Sequence, residues 1–225
     1  MLKKVILLMF LAACSSTASP QKKVLKPDVE TTAISPENEY KNCAKYDKKG
    51  DYDMALACYT RLADGGYQKA YLGLAKAYEY GNGVKKNTNK AMRYYEKAAE
   101  GGTAEAAMRL ASEYSNGAIK NDAKAFKWYK KAAENGNASA AFALSHMYAA
   151  GKGITKSEEN SKYWLTISAA NGFPHAQYLM GSMEYNRYQM NKDAEALTKA
   201  KMWLQKAAGQ GNSDAKKMLK TLPIK

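Results

Sequence analysis

The chain has 225 residues, with only five prolines, 46% hydrophobic residues and a formal charge of +14. That balance suits a helical protein with enough apolar material for a core, and is a poor match to a sheet-rich fold. The charge rests almost wholly on lysine, since Arg61, Arg93, Arg109 and Arg187 are the only arginines. Scattered lysine argues for a generally basic surface and against a dedicated phosphate-reading or nucleic-acid site, where arginine forks concentrate.

Residues 1–13 pair a cationic start, Lys3 and Lys4, with an apolar run from Val5 to Ala13 that is too short to span a bilayer. The run Leu11-Ala12-Ala13-Cys14 resembles the bacterial lipobox. That resemblance implies cleavage before Cys14, a diacylglycerol on its sulfur, acylation of its amine, and a mature chain anchored to the membrane by several acyl chains. Ser15, where an inner-membrane retention signal would place aspartate, implies the outer membrane. The other reading of the segment is an ordinary signal peptide or a retained apolar tail. Residues 14–36 are polar, proline-bearing and without helical period, and read as a tether of roughly 25 Å reach.

Residues 37–66 read as a first, shortened helix pair hinged at Gly50. Cys43 lies seven residues before that hinge and Cys58 eight after it, so antiparallel helices would set them opposite each other. They form a disulfide if the chain is exported, or remain two small reduced core residues.

A repeat then governs residues 67–211. Its reference unit, 67–102, carries Ala70, Leu74, Tyr78 and Gly81, then Ala91, Tyr94, Ala98, Ala99 and Gly102. A spacing of four turns a helix by about 40° per step, which keeps Ala70, Leu74 and Tyr78 on one buried stripe. The unit 103–136 repeats this with Ala106, Leu110, Tyr114, Gly117, Ala125, Trp128, Ala132 and Ala133, and 137–172 with Ala140, Leu144, Tyr148, Gly151, Trp164 and Ala169, Ser161 and Ser168 replacing alanines. The unit 173–211 keeps Ala176, Met180, Ala200, Trp203, Ala207 and Ala208, but Glu184 stands where tyrosine is expected and Arg187 where glycine is expected. Its link NRYQMNKDAEALT is therefore the least predictable in shape, and loops that break a repeat are often where function is grafted. Residues 212–225 supply one lysine-rich helix, begun at Ser213 as N-cap, that caps the last core face.

The pattern Ala-x3-Leu-x3-Tyr-x2-Gly, a variable loop, then Ala-x2-Trp/Tyr-x3-Ala-Ala-x2-Gly resembles the Sel-one-like repeat, a branch of the tetratricopeptide superfamily. The resemblance implies an all-α solenoid of antiparallel helix pairs, a right-handed superhelix whose first helices line a concave surface, and a non-catalytic adaptor role in the bacterial envelope with a protein or peptide as partner. Register carries the groove positions of that superfamily onto an apolar column, Leu72, Met108, Phe142 and Tyr178, flanked by Lys76, Ser112, His146 and Ser182 and by Lys69, Glu105 and His175. Tyr80 and Tyr185 extend the face at its rim, with Glu79, Asn116 and Asn186. Such a face suits an extended or helical peptide, or else the apolar column is a covered seam between first helices.

Signals for chemistry are few. The two histidines, His146 and His175, have no cysteine or carboxylate at ligand spacing, so no metal is expected. The glycine pairs Gly81-x-Gly83 and Gly151-x-Gly153 lack the preceding strand a phosphate cradle needs. The Ser-x-x-Lys runs at Ser19 and Ser213 lack the accompanying elements of an acylating serine enzyme. No cofactor and no nucleic-acid partner is expected. A basic outer surface that binds anionic lipid or cell-wall polymer is the alternative to a peptide-binding scaffold.

Overall fold

In the computed structural model, residues 34–223 apart from 118 are described; the lipobox-like run at Cys14 and the expected tether up to residue 33 lie outside them. The described residues form eleven α-helices and no strand: α1 (Pro36–Lys49), α2 (Tyr52–Asp64), α3 (Ala70–Tyr80), α4 (Thr88–Glu100), α5 (Ala104–Asn116), α6 (Asp122–Glu134), α7 (Ala138–Ala150), α8 (Glu158–Ala170), α9 (Pro174–Asn191), α10 (Ala194–Gly209) and α11 (Ser213–Thr221). Each helix packs on the next in the chain, giving a solenoid of five helix pairs closed by α11.

Local chemistry sets the boundaries. Asn87, Asn121, Asn137, Ser157 and Asn212 each accept, through a side-chain oxygen, the backbone N–H three residues on, which satisfies one orphan donor at the start of α4, α6, α7, α8 and α11. The cap of α11 is thus Asn212, one residue before the expected Ser213. At the loop between paired helices, Gly153 has φ +69° and lies so close to the first turn of α6 that a Cβ would run into the Asp122 carbonyl oxygen. Gly83 makes the same approach to α2, where an added Cβ would lie 2.7 Å from the Tyr52 carbonyl oxygen. The second glycine of each Gly-x-Gly is therefore a backbone docking point between successive units.

The core follows the alanine skeleton. Ala70, Leu74, Ala106, Leu110, Ala140, Leu144 and Ala176 are buried, with Ala91, Ala98, Ala125, Ala132, Ala169, Ala200 and Ala207 opposite them. Two expectations need correction. In the second helices the deepest large residue falls four after the leading small residue, Ala91, Ser161 or Ala200, in three units: Tyr95, Leu165 and Leu204 are buried, whereas Tyr94, Trp164 and Trp203 are half-buried. Helical geometry explains it, since positions i, i+4, i+7 and i+8 form the tighter stripe. Only Trp128 holds the core at the expected place, and Tyr94 instead stacks on Tyr71 and Tyr78, with centroids 6.1 and 5.5 Å apart.

The second correction concerns the link after α9. The helix runs on through Glu184 and Arg187 to Asn191, and only Lys192 and Asp193 separate it from α10. Without glycine at Arg187 nothing stops the helix. The guanidinium pairs with Glu184 at 3.3 Å and with Asp193 at 3.0 Å, tying the extra turns to the cap of α10, and Lys192 takes the left-handed conformation, φ 56°.

Candidate peptide-binding face

The first helices of consecutive units are linked through their side chains. Lys76 on α3 pairs with Glu105 on α5 at 2.6 Å; partial burial disfavours its charge, but the carboxylate prevails and holds its pKa above the ordinary lysine value. Arg109 on α5 reaches Glu79 on α3 at 2.6 Å and Glu113 on its own helix at 3.1 Å, and the Glu79 hydrogen bond leads in raising the arginine pKa. Glu79 also accepts the Tyr95 hydroxyl from α4, so this carboxylate joins three helices and is no open rim residue.

The predicted column divides along its length. Leu72 is buried, 7% exposed, within the core, and its neighbour Lys69 is drawn to Glu37 of α1 at 3.0 Å, so this end is covered. Tyr178 and Ser182 meet the capping helix: the Ser182 hydroxyl donates to the Tyr178 carbonyl and lies 3.5 Å from Met218 Sδ. Tyr185 packs there too, stacked with Tyr188. Tyr80 stands apart, 66% exposed.

The centre is different. Phe142 on α7 is half-buried, with His146 at a ring separation of 4.5 Å, Phe173 at 4.9 Å and His175 at 6.3 Å. Both histidines are exposed, and half-buried Met108 and exposed Ser112 occupy the corresponding positions of α5. His146 also lines an adjoining cleft of 350 Å³ with Ser115 and Asn116 of α5, Lys120, Asp122 and Tyr129, and Met147 of α7. The structure therefore gathers Phe142, His146 and His175 into one aromatic site beside a polar cleft, while Leu72 is enclosed and Tyr178 lines a separate cleft against α11.

Phe173 and Tyr129 were not among the sequence candidates. Phe173 had a readable signal: it begins its unit where Thr103 and Asn137 begin theirs, an aromatic at a position otherwise polar except for Tyr67. Tyr129 had none, since its half-buried position only becomes a cleft wall through the packing of α6 beside α5 and α7. Cys43 and Cys58 are bridged, Cα atoms 5.5 Å apart, midway along the α1–α2 pair. Among the described residues, no three His, Cys, Asp or Glu side chains assemble as a metal site, and no helix is long and apolar enough to cross a membrane.

The family model for the Sel1 repeat matches residues 46–67, 68–103, 104–137, 138–173 and 174–212. Among solved structures, the chain is similar to c5321, a protective antigen of uropathogenic Escherichia coli with an SLR fold, at 29% identity and TM-score 0.69 over 84% of this chain and 41% of that one. It is also similar to a Sel1 repeat protein of Oxalobacter formigenes, at 28% identity and TM-score 0.68 over 89% of this chain and 82% of that one. The chain thus spans less than half the length of the first and most of the second. No curated protein matches it.

Proposed function

Because the chain belongs to the Sel1 repeat family, whose members mediate protein–protein interactions, we propose that it is a lipid-anchored scaffold of the bacterial cell envelope that binds a protein or peptide partner through its first-helix face. The observation that carries the reading is the aromatic site around Phe142, half-buried against the Leu165–Ala169–Ala176 core, with exposed His146 and His175 at its rim and His146 shared with the adjoining cleft. An apolar ring flanked by exposed polar groups is the layout that anchors a side chain of a docked helix or strand. The other reading, a β-lactam or cell-wall hydrolase, rests only on the isolated Ser-x-x-Lys runs at Ser19 and Ser213. Export is supported by the lipobox-like run at Cys14 and by the Cys43–Cys58 bridge, which suits an oxidising compartment. The outer membrane is the expected destination.

Two experiments test it. Phe142→Asp removes the anchor from a half-buried surface position; the partners cross-linked in the envelope should be lost while the fold is kept, and an unchanged set of partners with a folded variant would remove this face from the proposal. Cys14→Ala should abolish incorporation of labelled palmitate and release the chain from membranes. Persistent labelling would refute the anchor.

A further inference from the structure

The second helices carry a face the partner site does not use. Aligned through Ala91 and Ala125, α4 and α6 place Lys90 in register with Lys124, Arg93 with Lys127 and Lys97 with Lys131. The two helices touch, and Lys90, Arg93, Lys97, Lys124, Lys127 and Lys130 are all exposed. Among the described residues, Lys130 alone of these six makes an ion pair, with Glu134 at 3.8 Å. Aromatic rings hold others in place: Lys97 Nζ lies 5.0 Å from the Tyr71 ring and Lys127 Nζ 4.8 Å from that of Trp128. A ring orients an ammonium without neutralising it, so the charge stays presented to solvent. Like charges stacked across adjacent helices repel, and the ring contacts repay this only weakly at such exposed positions, so packing alone does not require the repetition.

The same register position changes character along the stack. Where α4 and α6 have Arg93 and Lys127, α8 and α10 have Tyr163 and Met202, 56% and 40% exposed. Lysines suit diffuse negative charge better than bidentate recognition, and a tyrosine and a thioether on the same outward row suit the boundary between headgroups and acyl chains. A dissolved polyanion would use the cations and leave Tyr163 and Met202 in water. We propose that the outward face of α4, α6, α8 and α10 docks on an anionic lipid surface. It does so whether or not Cys14 carries an acyl anchor, and it leaves the Phe142 site open to a partner.

The test uses residues 34–225, which hold every described helix and all the described buried residues and lack Cys14, with phosphatidylglycerol/phosphatidylcholine vesicles as the probe. The protein should sediment with the anionic vesicles, detach as salt is raised to about 1 M, and ignore pure phosphatidylcholine. Replacing Arg93, Lys97, Lys127 and Lys130 by Gln should weaken vesicle binding by about tenfold or more with unchanged circular dichroism, since glutamine keeps helix propensity. Replacing Lys45, Lys48 and Lys49 of α1 by Gln should leave binding near the original, and Tyr163→Ser should weaken it without altering its salt dependence. Three results would overturn the proposal: equal loss in the α1 variant, which would show net charge alone at work; equal binding to neutral vesicles; or binding to a soluble anionic wall polymer as tight as to vesicles and indifferent to Tyr163→Ser, which would assign the face to polymer.

Discussion

Ser168, Gly153 and Tyr95 show how single residues hold the units together. Ser168 is fully buried where the other units have alanine, and its hydroxyl donates to the Ala138 carbonyl at 2.7 Å, tying α8 to the start of α7. Ser168→Ala should cost about 1 kcal/mol, a typical net hydrogen bond, in denaturant titration. Gly153 and Gly136 both have positive φ, but nothing lies within 4 Å of a Cβ at Gly136, whereas one at Gly153 meets the α6 backbone. Both alanine variants bear the left-handed backbone penalty of about 1–2 kcal/mol, and Gly153→Ala should cost more because the loop must also lift off the preceding unit. Equal losses would mean that this backbone contact holds nothing. Burial, then the hydrogen bond to Glu79, pushes the Tyr95 phenol well up from its ordinary value, and burial does the same for Tyr59. A folded pKa above the unfolded value, which is about 10, means that stability is fully present below pH ~10 and is lost as pH rises towards the folded values. Melting temperature should therefore fall above pH ~10, less steeply in Tyr95→Phe. An identical slope in that variant would exclude Tyr95 as a cause.

At the scale of elements, the repeat skeleton made most helices readable, because alanine, leucine and glycine at fixed offsets state both the buried stripe and the turn. The disulfide was readable for the same reason: a hinge at Gly50 folds Cys43 onto Cys58. Closing that 15-residue separation restricts the unfolded chain, and reduction should lower stability by roughly 3 kcal/mol, seen as a lower melting temperature in reductant. The end of α9 was not readable. A missing glycine says that a turn is absent, but that the helix would continue depends on Arg187 meeting Asp193, a contact across the junction that no periodicity encodes. Arg187→Gly should restore the stop. Amide exchange should quicken for residues 187–191 while α10 keeps its protection, and unchanged exchange would show that packing alone holds the extension.

For the molecule as a whole, register predicted which side chains share the first-helix face but not which part of it stays open. Leu72 and Phe142 occupy equivalent positions, yet one is enclosed in the core and the other lies beside a cleft. The difference arises at the ends of the stack, where α1 and its Glu37 approach one side and α11 packs beside Tyr178 and Ser182 on the other, whereas the middle units bring Phe142 next to exposed His146 and His175. The proposed binding is therefore assigned to the α5–α7–α9 segment. The most direct measurement places a photoreactive amino acid at one position at a time, Met108, Phe142, His146 or Tyr163, and irradiates intact cells. The account predicts one common protein adduct from the first three positions and none of it from Tyr163 on the second-helix face. The same adduct from Tyr163, or no protein adduct from Phe142 and His146, would contradict it.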